Sequence, residues 1–135
     1  MLGWVFVCDL MGTEKHNWVD QLCLVALAEG MNGLMVHGLK NWVNEPRPDG
    51  APYSFPSGHT MASFAAATVL WHWNRKVGLA AYLLAGMIAF SRLYLFVHFP
   101  SDVLAGALLG CLVGIAAVRL VDLGEKKIVH KRKEA

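Results

Sequence analysis

Long apolar runs separated by short polar breaks organise this chain. Four runs approach the length of a bilayer crossing, at about residues 18–39, 59–73, 77–97 and 102–121. A hydrocarbon core of roughly 30 Å takes about 20 residues of helix. The runs are long and rich in Ala and Leu, which favours helix over strand. The first is the most polar, carrying Asp20, Glu29, Asn32 and His37, and the second is short for a full crossing. A further apolar stretch opens the chain, MLGWVFVCDLMG. At about half a span it fits either a short interfacial helix or the end of a helix that begins upstream. The expected fold is all-α: one membrane-embedded domain over residues 1–135. It would be an integral membrane helical bundle of about four transmembrane helices plus a short N-terminal apolar helix.

The breaks between runs set the topology. NWVNEPRPDGAPYSFPSG, between the first two runs, holds four of the five prolines together with Asp49-Gly50. Proline and glycine at this density end helices and make turns. The remaining connections are short, so successive helices run antiparallel. Lys15, the Arg75-Lys76 pair, Arg119 and a basic tail over residues 122–135 then fall on one side. The positive-inside rule assigns that side to the cytoplasm. The proline-rich loop and the junction of the third and fourth runs share the outer side. Gly106, Gly110 and Gly114 recur at spacing four in the last run, a pattern that lets helices approach closely in lipid.

Composition agrees without deciding. A 56% apolar and 16% charged chain leans toward lipid relative to a soluble average of roughly 45–50% and 25%, yet a greasy soluble helical domain also fits. The formal net charge of +2 is too small to suggest a nucleic-acid partner. Cys8, Cys23 and Cys111 sit in apolar stretches with no CxxC pair, which predicts buried, hydrophobe-like thiols. The N-terminus lacks the basic region and cleavage site of a signal peptide.

Ionisable residues inside or beside a membrane are costly and default to function. The predicted outer side gathers Lys40, Arg47, His59, Arg92 and His98. Arginine presents a planar fork suited to phosphate oxygens, and lysine adds a point charge. The segment Pro56-Ser57-Gly58-His59 precedes a helical run. Backbone N–H groups of Gly58 and His59 are unpaired at such a start and point toward an anion, and the Ser57 hydroxyl adds a donor. Phosphoryl transfer through a protein nucleophile needs one group to attack and another to protonate the leaving oxygen. His59 and His98 can divide those roles. Asp102 follows His98 by four residues with Pro100 between. Proline suits a first helical turn, so His98 is expected just before the last helix and Asp102 in its first turn, able to orient an imidazole.

Three motifs occur in order: K-x6-RP over Lys40–Pro48, PSGH over Pro56–His59, and SR-x5-H-x3-D over Ser91–Asp102. Together they resemble the signature of the type 2 phosphatidic acid phosphatase superfamily, membrane lipid phosphatase branch. The motif-bearing core, 40–102, is nearly half of the chain. The resemblance implies a nucleophilic His98 that forms phosphohistidine, an orienting Asp102, and His59 as the acid for the leaving group. It implies phosphate binding by Lys40, Arg47, Ser57, Gly58 and Arg92, with Ser91 in the same site. It implies hydrolysis with no metal and no cofactor. The expected partner is a phosphorylated lipid in a bacterial plasma membrane, with the site on the outer face. Family membrane proteins have six transmembrane helices, so the expectation here is of missing early helices before Trp18.

The substrate expected by analogy is a lipid phosphate or diphosphate, undecaprenyl diphosphate first. Phosphatidylglycerol phosphate and phosphatidic acid are the alternatives. Vanadium haloperoxidases carry similar motifs, but they are larger and soluble, against the apolar helices here. An inactive truncated membrane scaffold is the reading of a different class; loss of a motif residue would favour it, and none is lost.

Overall fold

The computed structural model describes residues 18–134, with side chains over 21–124. Four helices make up the described chain: α1 Trp18–Val43, α2 Gly58–Trp73, α3 Arg75–Tyr94 and α4 Pro100–Glu134. Lys15, Cys8 and the apolar opening stretch lie outside the described residues. Three helices are long and apolar enough to cross a membrane: α1, α3 and α4 over Gln21–Val43, Arg75–Tyr94 and Pro100–Gly124. At 16 residues, α2 is about 24 Å long and falls short of a crossing. It is nevertheless the central element, packed against all three others, while α1 and α3 do not meet.

Helix ends follow local chemistry. α1 continues one turn beyond the expected residue 39, because nothing in Asn41-Trp42-Val43 breaks a helix. It stops at Asn44, which adopts φ 48° and donates its N–H to Lys40 O at 2.9 Å. This is a left-handed C-terminal cap, with Pro46 soon after to prevent continuation. Between α2 and α3, the Asn74 carboxamide accepts from Lys76 N at 2.9 Å and Val77 N at 3.2 Å. That N-cap turns the chain back on itself within one residue.

The bundle interior is built from small residues. Ala28, Ala65, Ala67, Ala85, Ala89 and Ala117 are buried, joined by Met61 and Val69. Leu, Met and Phe side chains of α1, α3 and α4 instead face outward, Leu34, Leu83, Met87, Phe90 and Leu108 among them. Apolar surface on this scale is untenable in water and suits lipid, where close backbone packing rather than expulsion from water holds helices together. Cys23 also faces outward and is a free thiol. This corrects the expectation of burial: an apolar stretch in a membrane helix places a thiol equally well against lipid.

The α2–α4 seam is close along its length, and α3 meets α2 as closely at its start, where a Cβ on Gly78 would overlap the Trp71 backbone. A Cβ on Gly106 would stand 2.8 Å from Ser57 O, and one on Gly114 would stand 2.6 Å from Thr68 Cβ. One on Gly110 would overlap Met61 O. The glycine stripe is therefore a packing surface, and it sets α2 and α4 in the register that joins PSGH to the first turn of α4.

Candidate active site

The site lies where the 44–57 loop, the first turn of α2 and the α3–α4 junction meet. Asp102 is its fixed point, fully buried in the first turn of α4. Its Oδ2 accepts from Phe99 N at 2.8 Å. This is the returning half of a capping box, with the carboxylate reaching back from the third helical residue to the residue before the helix. Pro100 between them needs no N–H partner there. The same oxygen accepts from Ser54 Oγ at 2.5 Å, and the Asp102 carbonyl accepts from Ser57 N at 3.1 Å. Asp102 thus ties the loop and the start of α2 to α4.

His98 sits just before α4, 5% exposed, with Nδ1 3.6 Å from Asp102 Oδ2. That distance is beyond a formed hydrogen bond. His98 Nδ1, Asp102 Oδ1 and Arg47 Nε are buried atoms without a hydrogen-bond partner among the described residues. Nδ1 faces the carboxylate, so Nε2 is the nitrogen left to the cavity side. Burial depresses the His98 pKa below the usual imidazole range. Lys40 and Arg47 push the same way, and Asp102 opposes them.

Lys40, in the last turn of α1, donates to Tyr53 O at 2.5 Å and lies 3.5 Å from Ser54 O. Its ammonium is thereby pinned to the loop. The loop closes on itself through Arg47 N to Ala51 O at 2.7 Å and Ser54 N to Glu45 O at 2.7 Å, which positions Arg47. Tyr53 takes φ 63° and Phe96 φ 54°, left-handed conformations uncommon for aromatic residues. Both flank the site, where such backbone strain tends to concentrate.

These elements enclose a cavity of about 320 Å³ lined by Lys40, Arg47, Gly58, His59, Ala62 and His98. It therefore brings together both histidines, two of the three cations and the start of α2. His59 is exposed in the first turn of α2. The first intrahelical bond of α2 is Met61 N to Ser57 O at 2.9 Å, which leaves the N–H groups of Gly58 and His59 ahead of the ladder.

The other three expected phosphate-binding residues do not line the cavity. Ser57 is fully buried, its hydroxyl 2.9 Å from Thr60 Oγ1. Arg92 Nε donates to Ser91 Oγ at 3.2 Å, and Ser91 Oγ donates to Ile88 O at 2.7 Å. Sequence reasoning missed Ser54. Its place two residues before Pro56 is visible in the sequence, but its partner lies 48 residues away. It also missed Thr60, whose hydroxyl partner at Ser57 is local and helical in spacing.

Exposed aromatic residues surround this end of the bundle. Trp42 is 83% and Tyr94 75% exposed, and Phe96 is exposed beside them. All three lie at the cavity end of the bundle. Aromatic residues gather at the membrane–water boundary.

Comparison with known proteins places the same segment. The PAP2 superfamily profile matches residues 49–125, more than half of the chain. A lipid A 1-phosphatase of Porphyromonas gingivalis is 38% identical over 115 residues, covering 82% of this chain and 26% of that protein. An undecaprenyl-diphosphatase of Sulfolobus acidocaldarius is 34% identical, covering 70% of this chain and 48% of that protein. The crystal structure of Aquifex aeolicus LpxE superposes with a TM-score of 0.71 at 34% identity, over 74% of this chain and 68% of that one. The chain spans half or less of the length of these two curated relatives.

Proposed function

The chain belongs to the PAP2 superfamily, and from that premise we propose that it hydrolyses a membrane lipid phosphate or diphosphate through a phosphohistidine on His98. The observation that carries this reading is the cavity lined jointly by Lys40, Arg47, His59 and His98, with buried Asp102 behind His98.

In this mechanism the phosphoryl group enters between Lys40, Arg47 and the N–H groups of Gly58 and His59. Their donors meet the charge that grows on its oxygens in the transition state. The Nε2 lone pair of neutral His98 attacks phosphorus in line. As the N–P bond forms, the P–O bond to the lipid breaks and its electron pair leaves with that oxygen. His59 gives the leaving oxygen its proton. Movement of a few tenths of an ångström closes the Asp102–His98 gap into a hydrogen bond that steadies the developing imidazolium. Water then attacks the phosphohistidine, neutral His59 takes its proton, and inorganic phosphate departs with His98 restored. Arg92 joins when it releases Ser91 and turns toward the phosphate, and Ser91 and Ser57 stand behind the oxygens. No metal has a part in these steps.

The lipid is proposed as an isoprenoid diphosphate such as undecaprenyl diphosphate. The undecaprenyl-diphosphatase relative supports this; the lipid A 1-phosphatase relative supports another phosphorylated lipid on the same chemistry. Basic residues at the opposite end, Arg75, Lys76 and Arg119, favour a cytoplasmic location there and an outer location for the cavity. The exposed Trp42 and Tyr94 beside the cavity favour headgroup level for it, where a lipid offers its phosphate while its chains stay in the bilayer.

The test is phosphate release by the purified protein from a panel of lipid phosphates and diphosphates, with excess EDTA throughout. Turnover that resists the chelator, with vanadate inhibiting as a mimic of the transition state, is expected. An alkaline detergent quench during turnover should trap phosphate on His98, as an acid-labile, base-stable adduct. Turnover with no such adduct in rapid quench would remove the covalent route, and no release from any lipid of the panel would remove the function.

A further inference from the structure

A second cavity lies at the opposite end of the bundle from the active site. It has a volume of about 440 Å³, with walls that include Trp71 of α2, Arg75 of α3, and Ile115, Val118, Arg119 and Asp122 of α4. We propose that it binds the phosphodiester headgroup of an anionic phospholipid between Arg75 and Arg119.

Position comes first. α2 starts at the active-site cavity and ends at Trp73, and α3 starts at Arg75. On α4, Arg119 of this cavity lies 19 residues past Pro100, about 28 Å along the helix from the active-site end and close to one hydrocarbon thickness. The active site stands at one membrane boundary and this cavity at the other. Trp71 and Trp73 lie here, as aromatic residues do at either boundary.

The wall chemistry divides into two zones. Val118 is buried and Ile115 exposed on α4, forming an apolar flank along which an acyl chain can lie. Arg75 and Arg119 stand at the rim. Arg75 Cζ sits 4.7 Å from the centroid of the Trp71 ring, a cation–π contact that orders the guanidinium while leaving its N–H edges available. Among the described residues, no salt bridge engages either arginine. Asp122, three residues after Arg119 and so on the same helix face, offsets one of the two charges. His72 contributes one more ring nitrogen to the cavity. Two guanidinium forks against one carboxylate, above an apolar wall and at headgroup depth, match a phosphodiester monoanion carrying acyl chains. Basic pockets between transmembrane helices at the cytoplasmic boundary bind anionic headgroups by the same means. A neutral or zwitterionic lipid gains less here, and a free phosphate makes no use of the apolar flank.

Native mass spectrometry of the whole chain, offered equal phosphatidylglycerol and phosphatidylcholine in mild detergent, reads the binding directly. Wild type is expected to retain phosphatidylglycerol in about tenfold preference. Arg75→Gln combined with Arg119→Gln should abolish the preference, since each arginine contributes to the attraction. Hydrolysis of a soluble aryl phosphate should be unchanged, because neither residue is near the active site. Arg119→Lys keeps the charge without the fork and should fall between. In vesicles, phosphatidylglycerol brominated high on its acyl chains should quench fluorescence in wild type more than in Trp71→Phe, a measurement that needs no arginine variant to fold. Equal retention of the two lipids by wild type overturns the proposal. So does equal quenching in wild type and Trp71→Phe. Inorganic phosphate that binds in an Arg75- and Arg119-dependent way while phosphatidylglycerol does not would replace the lipid by the free anion. These readouts are independent of turnover, so they stand or fall apart from the proposed phosphatase.

Discussion

Along the α2–α4 seam a Cβ on any of Gly106, Gly110 or Gly114 meets atoms of the facing helix; on α3 a Cβ on Gly78, beside the turn from α2, overlaps the Trp71 backbone, whereas further along one on Gly86 meets nothing within 4 Å. α3 packs on α2 but touches α4 only slightly and does not reach α1, so its far end, past Gly86, is its loosely packed part. The proposed catalytic residues divide along the same line. His59 is on α2, Asp102 opens α4 and His98 immediately precedes it, all on the tightly packed side. Ser91 and Arg92 end α3, on the loosely packed side, and they are the motif residues turned toward each other rather than into the cavity. Chemistry that needs sub-ångström placement sits where backbones interlock. The cation with room to move sits where they do not.

The largest expected effect lies on the tight side. His98→Ala removes the nucleophile and should lower turnover by about 10⁴-fold or more, with the thermal unfolding profile unchanged. Retained turnover within about tenfold of wild type would show that another group attacks. Next come the arginines on either side of the divide. Arg47→Ala and Arg92→Ala should each lower kcat/KM by roughly 10²-fold, the scale of one donor to transition-state charge. A comparable loss at Arg92 shows that the end of α3 closes over bound substrate. A loss at Arg47 alone shows that Arg92 stays on Ser91, and breaks the proposed role of the loose side.

Packing itself offers a third comparison. Gly110→Val sets a branched side chain against the Met61 carbonyl, which cannot swing away as a side-chain tip can. A destabilisation of about 1–3 kcal/mol is expected, read as the detergent-solubilised melting temperature. Gly86→Val has open space and should change stability by less than about 0.5 kcal/mol. Similar melting of the two variants would dissolve the distinction between the halves.

Much of this arrangement was legible in the sequence, for identifiable reasons. Helix runs show because lipid demands long apolar stretches, and the proline-rich loop shows because proline and glycine act locally. His98 and Asp102 take their expected places before and within the first turn of α4 because Pro100 fixes that turn. The Gly106–Gly114 spacing points to a seam that the bundle does form. What stayed hidden depends on partners distant in sequence or on side-chain choice. Ser54 looks like an ordinary loop serine until the fold brings Asp102 to it. Arg92 carries the same motif weight as Arg47, but its contact with Ser91 is a rotamer preference that no pattern encodes. The outward turn of Cys23 is set by which face of α1 meets its neighbours.

The smallest expected effect is the most diagnostic of the tight side, because it reads the electrostatics around His98. Burial lowers the His98 pKa first, Lys40 and Arg47 lower it further, and Asp102 raises it in part. The attacking imidazole must be neutral, so turnover falls as pH drops through the folded-state value. The acid limb should therefore lie below the ordinary histidine value of about 6.5. The same shift governs stability. Between the lowered folded value and the ordinary unfolded one, the unfolded chain binds a proton that the folded chain does not, so stability rises with pH across that window. Below it the contribution is lost. Substitutions should move the limb in opposite directions. Arg47→Gln removes a cation that disfavours the imidazolium, so the limb moves up. Asp102→Asn removes the anion that favours it, so the limb moves down, even though both variants turn over more slowly. Comparing pH–rate profiles on one aryl phosphate cancels the titration of the substrate, which is common to all three proteins. Limbs that coincide in wild type and both variants would mean that the acid limb belongs to a group other than His98. Movement of both in the same direction would mean that repacking of the cavity, not charge, sets the imidazole.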